Sequence, residues 1–310
     1  MTNDHLLVSV IIPVYNRANT LSIAIESVLA QTFKDFEIIV IDDYSTDNSA
    51  SIATNFPQVR MIRHESNKGA AAARNTGINT SRGKYVAFLD SDDLWLPEKL
   101  QIQINYLENN IGMAVCVSAY HLFLPKQKPT LFIPSSPVNW KKHLLMGCNL
   151  GPGTTLVARR ECFQRIGLFD VGLPRYEDWD WLMRLVEFVP ITVINRPLAN
   201  VFRYGIPTAR SIEIGNKIFL EKHKQSFTSF GFWYGQKAIS KRWTDVSYYY
   251  FIEHNWGKGI KYFLKTVITY PFQGPGFYIR ILDSILGTDM WPTVGQWKTK
   301  FVNRLDNKSF

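Results

Sequence analysis

Short apolar runs separated by helix-like segments recur along this chain, and two of them run straight into carboxylates. Val8-Ser9-Val10-Ile11-Ile12-Pro13-Val14, Glu37-Ile38-Ile39-Val40-Ile41 and Tyr85-Val86-Ala87-Phe88-Leu89 are rich in β-branched and aromatic residues. Such runs suit strands buried on both faces. The first is expected to break at Pro13 into the polar loop Tyr15-Asn16-Arg17. Leu21, Ile25, Val28 and Leu29 then fall on one helical face, with Asn19 or Thr20 as cap. A short helix over residues 49–55, a strand over 59–62 and a helix around Ala70–Ala73, entered through Gly69, continue the alternation. A helix from Pro97 to about Asn109 and strands at 113–118, 156–158 and 191–194 follow. The expected fold class is α/β, a single Rossmann-like domain whose mostly parallel sheet is covered by helices on both faces.

In an open sheet of this kind, ligands bind beyond the carboxyl ends of the strands. Asp42-Asp43 and Asp90-Ser91-Asp92-Asp93 both have that address. Three carboxylates within four residues are costly unless a cation sits among them, so a divalent metal is one reading. A polar turn that caps the next helix is the other. On that stretch alone the two weigh equally; the shared strand-end address favours the metal or nucleotide reading. Glu177-Asp178 has a similar ambiguity, because acids at a helix N-terminus are favoured by the dipole alone. Asn149–Thr155, with Gly151, Pro152 and Gly153, is read as a flexible stretch that lines a site or simply connects elements, and residues 122–140 as a surface loop.

Taken in order, these segments resemble the inverting nucleotide-sugar glycosyltransferases of family 2, which have the GT-A fold. The resemblance runs from Val8–Asn16 through Ser27–Phe33 and Ile41–Asp47 to Asn67-Lys68-Gly69 with Ala73-Arg74-Asn75-Thr76-Gly77. It continues in Phe88–Asp93 and ends at Glu177-Asp178 with Arg184. It covers roughly the first 210 residues. It implies that Pro13, Tyr15 and Arg17 line a base and ribose pocket, that Asp43 and less directly Asp42 accept from a uracil or thymine edge, and that Arg74 closes the pocket. By the same resemblance Asp90, beside Ser91, would bond ribose, and Asp92 would ligate the Mg²⁺ or Mn²⁺ that bridges the donor diphosphate. Asp178, next to Glu177, would be the catalytic base. Tyr44 stands where the family usually has Gly. Arg203-Tyr204-Gly205 lacks the family's His, which leaves Arg203 or Arg210 as the diphosphate contact. The chain has no Gln-x-x-Arg-Trp signature, so one sugar per encounter is expected, from a UDP- or dTDP-sugar to a glycan or lipid-linked acceptor. A non-catalytic sugar-nucleotide or glycan-binding protein of the same fold is the alternative. A nucleotidyltransferase would need a Gly-rich basic loop after the first strand, which Val14-Tyr15-Asn16-Arg17 is not.

Beyond about residue 215 composition carries the reading. The expected division is 1–215 for the transferase domain and 216–310 for a basic, aromatic-rich, mainly helical region. Of the net charge of +9, residues 211–310 hold 14 Lys and Arg against 7 acids, so the surplus belongs mostly to this region. Residues 260–268 and 277–286 read as amphipathic helices, which either pack on the main domain or dock on an anionic membrane. No nucleic-acid module is visible, and nucleic acid is not expected as a partner. Cys116, Cys148 and Cys162 are odd in number and unpaired in spacing, which fits a reducing compartment. Leu6–Val14 is too short for a membrane span and is preceded by Asp4 where a signal peptide would be basic. The expected location is the cytoplasm, at the inner face of the cell membrane if the docking reading holds.

Overall fold

The computed structural model describes residues 6–203 and 205–286. Asp4 and Tyr204, cited above, and the basic region from residue 287 onward lie outside the described residues. The chain divides into two compact units, Met1–Gly205 and Ile206–Phe310.

The first unit begins with β1 (Val8–Val14), α1 (Leu21–Leu29), β2 (Phe36–Asp42), α2 (Ser49–Thr54), β3 (Val59–Arg63), α3 (Ala70–Thr80) and β4 (Tyr85–Phe88). It continues with β5 (Leu94–Trp95), α4 (Lys99–Asn109), β6 (Val115–Phe123), β7 (Thr130–Phe132) and α5 (Trp140–Met146). It closes with α6 (Pro152–Thr155), β8 (Val157–Arg159), α7 (Glu161–Ile166), α8 (Glu177–Leu185) and β9 (Thr192–Phe202). The strands form one sheet in the order β3-β2-β1-β4-β8-β6-β9-β5, with β7 on β6.

The strand-helix alternation of the first ninety residues gives four parallel strands, β3-β2-β1-β4. The remainder is mixed. β8 runs antiparallel to both β4 and β6, β5 is antiparallel to β9, and only β6 with β9 is parallel. Apart from β6 and β7, neighbours in this half of the sheet are distant in sequence, with α4 to α8 lying in the connections between them.

Proline 13 does not end β1, which runs on through Val14 with Pro13 buried and paired with Ile41. The direction of its missing N–H explains this. Val14 presents its carbonyl to Asp43 beyond β2, and Ile11 presents its carbonyl to Leu89 beyond β4. By alternation Pro13 faces the β4 side, where pairing has stopped at Ile11–Phe88, so no ladder bond is lost. The helix face read from sequence on α1 is buried at Leu21, Ala24, Ile25 and Val28 and packs into the main core with β1 and β2. Two elements lie where a loop was expected: β7, which adds to β6, and α6.

The second unit, described by itself, is helical: α9 (Ala209–Lys222), α10 (Lys224–Thr228), α11 (Phe232–Ile252), α12 (Trp256–Thr269) and α13 (Pro275–Leu286). The break between the units falls ahead of α9, whose Thr208 side chain accepts from the Ser211 amide, and residue 215 lies inside that helix. Among the described residues no helix is long and apolar enough to cross a membrane.

Candidate active site

The first wall is built at the carboxyl ends of β1 and β2. Asp42 is buried, accepting from the Ser45 amide at 3.1 Å, with Arg63 Nε 3.2 Å from its other oxygen. Asp43 has a different task. Its Oδ1 meets the Lys68 amide at 2.9 Å and His64 Nδ1 at 2.7 Å, while Oδ2 accepts from the Gly69 amide at 2.7 Å. The carboxylate therefore fastens the loop before α3, and Gly69 takes a φ of +87° that lets its N–H turn toward it. His64 Nε2 lies 2.9 Å from the Thr76 hydroxyl and extends the tie to α3. Sequence reasoning missed His64, a lone histidine whose role shows only once β3 lies beside β2.

Tyr15 and Tyr44 are exposed above this wall. Tyr44 holds φ at +67°, a left-handed conformation that glycine adopts without strain. Asn16, at φ +51°, accepts from the Thr46 amide at 2.8 Å and ties the β1 and β2 loops together.

The second wall gathers acids from distant parts of the chain around one arginine. Arg74 on α3 donates from Nη2 to Asp90 at 2.6 Å and from Nη1 to Glu177, the first residue of α8, at 2.7 Å. The guanidinium is buried, and although burial opposes its charge, Asp90, Glu177 and Asp178 hold it protonated. Arg74, expected to help close the base pocket, links the strand-end acid Asp90 to the helix-end acid Glu177. Asp178 accepts from the Trp179 amide at 2.6 Å and lines a small cavity with Arg74 and Gly153. Burial and the neighbouring Glu177 carboxylate push Asp178 up to about 7, against the opposing pull of Arg74.

Asp92 stands apart from this clamp, with its Oδ2 3.4 Å from Arg17 Nε. Burial and Asp90 raise its pKa, and Arg17 counters them. A partly exposed carboxylate with one loosely placed cationic partner fits a hard divalent ion, which typically takes one or two carboxylates and completes its shell with phosphate and water. Among the described residues no group of three or more His, Cys, Asp or Glu side chains could hold a metal by itself. Ser91 is buried.

Asp93 is a structural clasp. It is buried, accepts from the Phe202 amide at 2.8 Å and takes the Thr154 hydroxyl on its other oxygen. Burial, with Asp90 adding to it, pushes its carboxyl up to about 8. Thr154 Oγ1 also lies 3.3 Å from the Asp90 amide, and the Thr154 carbonyl accepts from Trp95 Nε1 at 2.9 Å. One turn of α6 is thus fixed against the acidic strand end, and Gly153 on that turn faces Asp90 so closely that a Cβ would lie 2.4 Å from Oδ2. Arg203, which follows β9, lies near enough to Tyr120 for its charge to oppose the effect of burial on that phenol. Arg210 belongs to the second unit, in the first turn of α9.

The model of the Glycosyl transferase family 2 matches residues 9–144. A UDP-Glc:alpha-D-GlcNAc-diphosphoundecaprenol beta-1,3-glucosyltransferase, WfgD of Escherichia coli, is 37% identical over 195 residues, 62% of this chain and 74% of that protein. The chain belongs to glycosyl transferase family 2. An uncharacterized glycosyltransferase of Rickettsia felis is 54% identical over 105 residues, 33% of this chain, and the chain spans only 17% of that relative's length. Among solved structures, S. aureus TarS 1–349 in complex with UDP-GlcNAc superposes with a TM-score of 0.59 at 18% identity, over 84% of this chain and 90% of that one. At that identity the superposition shows a shared fold.

Proposed function

We propose that this family 2 chain is a non-processive, inverting glycosyltransferase that moves one sugar from a UDP- or dTDP-type donor to a hydroxyl of a lipid-linked glycan. The observation that carries the reading is the Arg74 clamp, which sets Asp90 and Glu177 within 2.7 Å of one guanidinium and leaves Asp178 beside it on the first turn of α8. The WfgD relative, a glucosyltransferase with a UDP-sugar donor and a sugar diphosphate lipid acceptor, favours UDP and that acceptor class.

Inversion in one displacement needs a base on the face opposite the leaving group. Asp178 takes the proton of the acceptor hydroxyl as its oxygen attacks the anomeric carbon and the bond to the nucleoside diphosphate breaks, a contribution of about 10²–10⁴-fold. Held near neutrality, its carboxyl is a stronger base than an ordinary aspartate. Glu177 and Arg74 position it. Asp92 would hold Mg²⁺ or Mn²⁺, and the bound cation would neutralise charge growing on the departing diphosphate. Arg17, with Tyr15, would border the nucleotide, and Arg203 or Arg210 would contact the diphosphate. Asp43, whose Oδ2 takes one bond from the Gly69 amide and keeps acceptor capacity, would accept from the base edge beside the loop it holds. The odd number and scattered spacing of Cys116, Cys148 and Cys162 suit a reducing cytoplasm.

The test is a panel of nucleotide sugars with Mn²⁺ and a polyprenyl-diphosphate-linked sugar, following the released nucleotide. Nucleoside diphosphate with a glycosylated acceptor is expected. Release of sugar phosphate, as a nucleotidyltransferase would give, would overturn the reading.

A further inference from the structure

The second unit carries two helices that are apolar on the side they bury and apolar again on the side they expose. On α12, Tyr262 and Thr266 turn inward, while Ile260, Leu264 and Ile268, four residues apart, are 50%, 52% and 81% exposed. On α13, Phe277 and Ile281 are buried, whereas Tyr278, Leu282 and Ile285 are exposed. The two helices meet where Phe263 of α12 stacks on Phe277 of α13 at 5.5 Å. Phe263 and Val267 of α12 pack with Phe277 and Ile281, and by helical spacing Ile260, Leu264 and Ile268 fall on the uncovered flank beside them. An apolar line left exposed on a helix whose opposite face is already buried marks a second docking surface. At 14 and 12 residues, α12 and α13 are too short to span a bilayer.

Charge selects the occupant. α12 has three lysines and no acid. Lys258, Lys261 and Lys265 form a second line, offset by about one residue from the apolar one. All three are exposed. Lys258 Nζ and Lys265 Nζ lie over the rings of Tyr250 and Trp243, 5.0 Å and 3.6 Å from the ring centres, and Lys258 Nζ donates to the Tyr250 hydroxyl at 3.3 Å, contacts that leave all three ammonium groups open to solvent on their outer side. An apolar line edged by ammonium groups matches an acyl boundary edged by phosphates. A protein groove would not require the basic line, and a nucleic acid would not require the aliphatic one.

We propose that the α12–α13 face docks in the plane of an anionic bilayer, with Ile260, Leu264 and Ile268 entering the acyl boundary and Lys258, Lys261 and Lys265 against lipid phosphates. The lipid-linked acceptor of the proposed reaction, on which this purpose rests, would lie in the same plane.

Full-length protein is sedimented with vesicles of phosphatidylglycerol and phosphatidylcholine, or of phosphatidylcholine alone, at low and high salt, with no donor or acceptor present. Binding is expected to the anionic vesicles and to weaken with salt. Leu264→Glu with Ile268→Glu is expected to lower the partition coefficient about tenfold or more. Lys261→Gln, a milder change at an exposed site, is expected to lower it about fivefold at low salt. Both variants should keep the wild-type melting temperature and turnover on detergent-dispersed acceptor. Equal binding to neutral and anionic vesicles, wild-type partitioning by Lys261→Gln, or self-association of the wild type without vesicle binding would each overturn the proposal. Because the vesicles hold no substrate, loss of the transferase reading would show in the turnover assay alone.

Discussion

Replacing Gly153 by alanine tests how tightly the acidic centre is built. The added Cβ would lie 2.4 Å from Asp90 Oδ2 and 2.8 Å from Oδ1, and ordinary contact begins at 3.4 Å. Asp90 must therefore retreat by about 1 Å. Its bond to Arg74 is 2.6 Å long, so such a shift takes it beyond hydrogen-bonding range. Arg74 would then be held by Glu177 alone, and the first turn of α8, with Asp178, would lose its tie to β4. A misplacement of about 1 Å in a catalytic array costs on the order of 10²-fold in rate. Overpacking costs about 1–3 kcal/mol of stability, offset in part by about 0.5–1 kcal/mol from alanine replacing glycine in a helical turn. The expected result is kcat/KM down about a hundredfold with a melting temperature only a few degrees lower. Wild-type kcat/KM in a folded Gly153→Ala protein would refute the claim that the Asp90–Arg74–Glu177 clamp positions the base.

Two further tests use the acids' protonation. Asp178 must be ionised to act as a base, so kcat/KM should fall as pH drops through about 7 and level off above it. Arg74→Gln removes the cation that opposes burial, and the falling limb should move to higher pH; a limb that stays put would mean Asp178 is not the group titrating. Asp93, raised to about 8 when folded against about 3.9 unfolded, favours the folded state fully below the lower value. That contribution is lost as pH rises through the upper one. Asp93→Asn, which keeps a neutral amide between Thr154 and Phe202, should remove this pH dependence of the melting temperature. Asp93→Ala should cost about 1–3 kcal/mol at every pH, because it leaves both donors unpaired.

Much of the fold is legible in the sequence because the first ninety residues are locally consistent. Mostly apolar β1, β2 and β4 alternate with α1, α2 and α3, a pattern that points to a parallel sheet. The later half is less legible. β5 is two residues long, β7 three, and α6 a single turn, each too short for a periodicity to register. Sequence alone ends β1 at Pro13, because nothing local shows that its N–H side faces unpaired space. In the site, the three acidic clusters are visible as strand-end and helix-start carboxylates. Their division of labour is not, because it depends on residues far apart in sequence. Arg74 meets Glu177 across 103 positions, and Asp93 meets Thr154 across 61. Gly153 and Thr154 read only as a flexible stretch, since glycine and proline signal a turn equally well with or without an acid packed on it. The exposed apolar line of α12 shows as helical spacing, but which of its two apolar sides stays uncovered depends on the packing of Phe263 against Phe277.

The central claim is that Asp92 serves the donor and Asp178 serves the acceptor. It is tested most directly by measuring Mn²⁺-dependent donor binding and turnover on Asp178→Asn, with Asp92→Ala as its counterpart. Asp178→Asn should bind donor as the wild type does and lose about 10²–10⁴-fold in turnover, while Asp92→Ala should lose the metal-dependent part of donor binding. Undiminished turnover in Asp178→Asn would contradict the assignment.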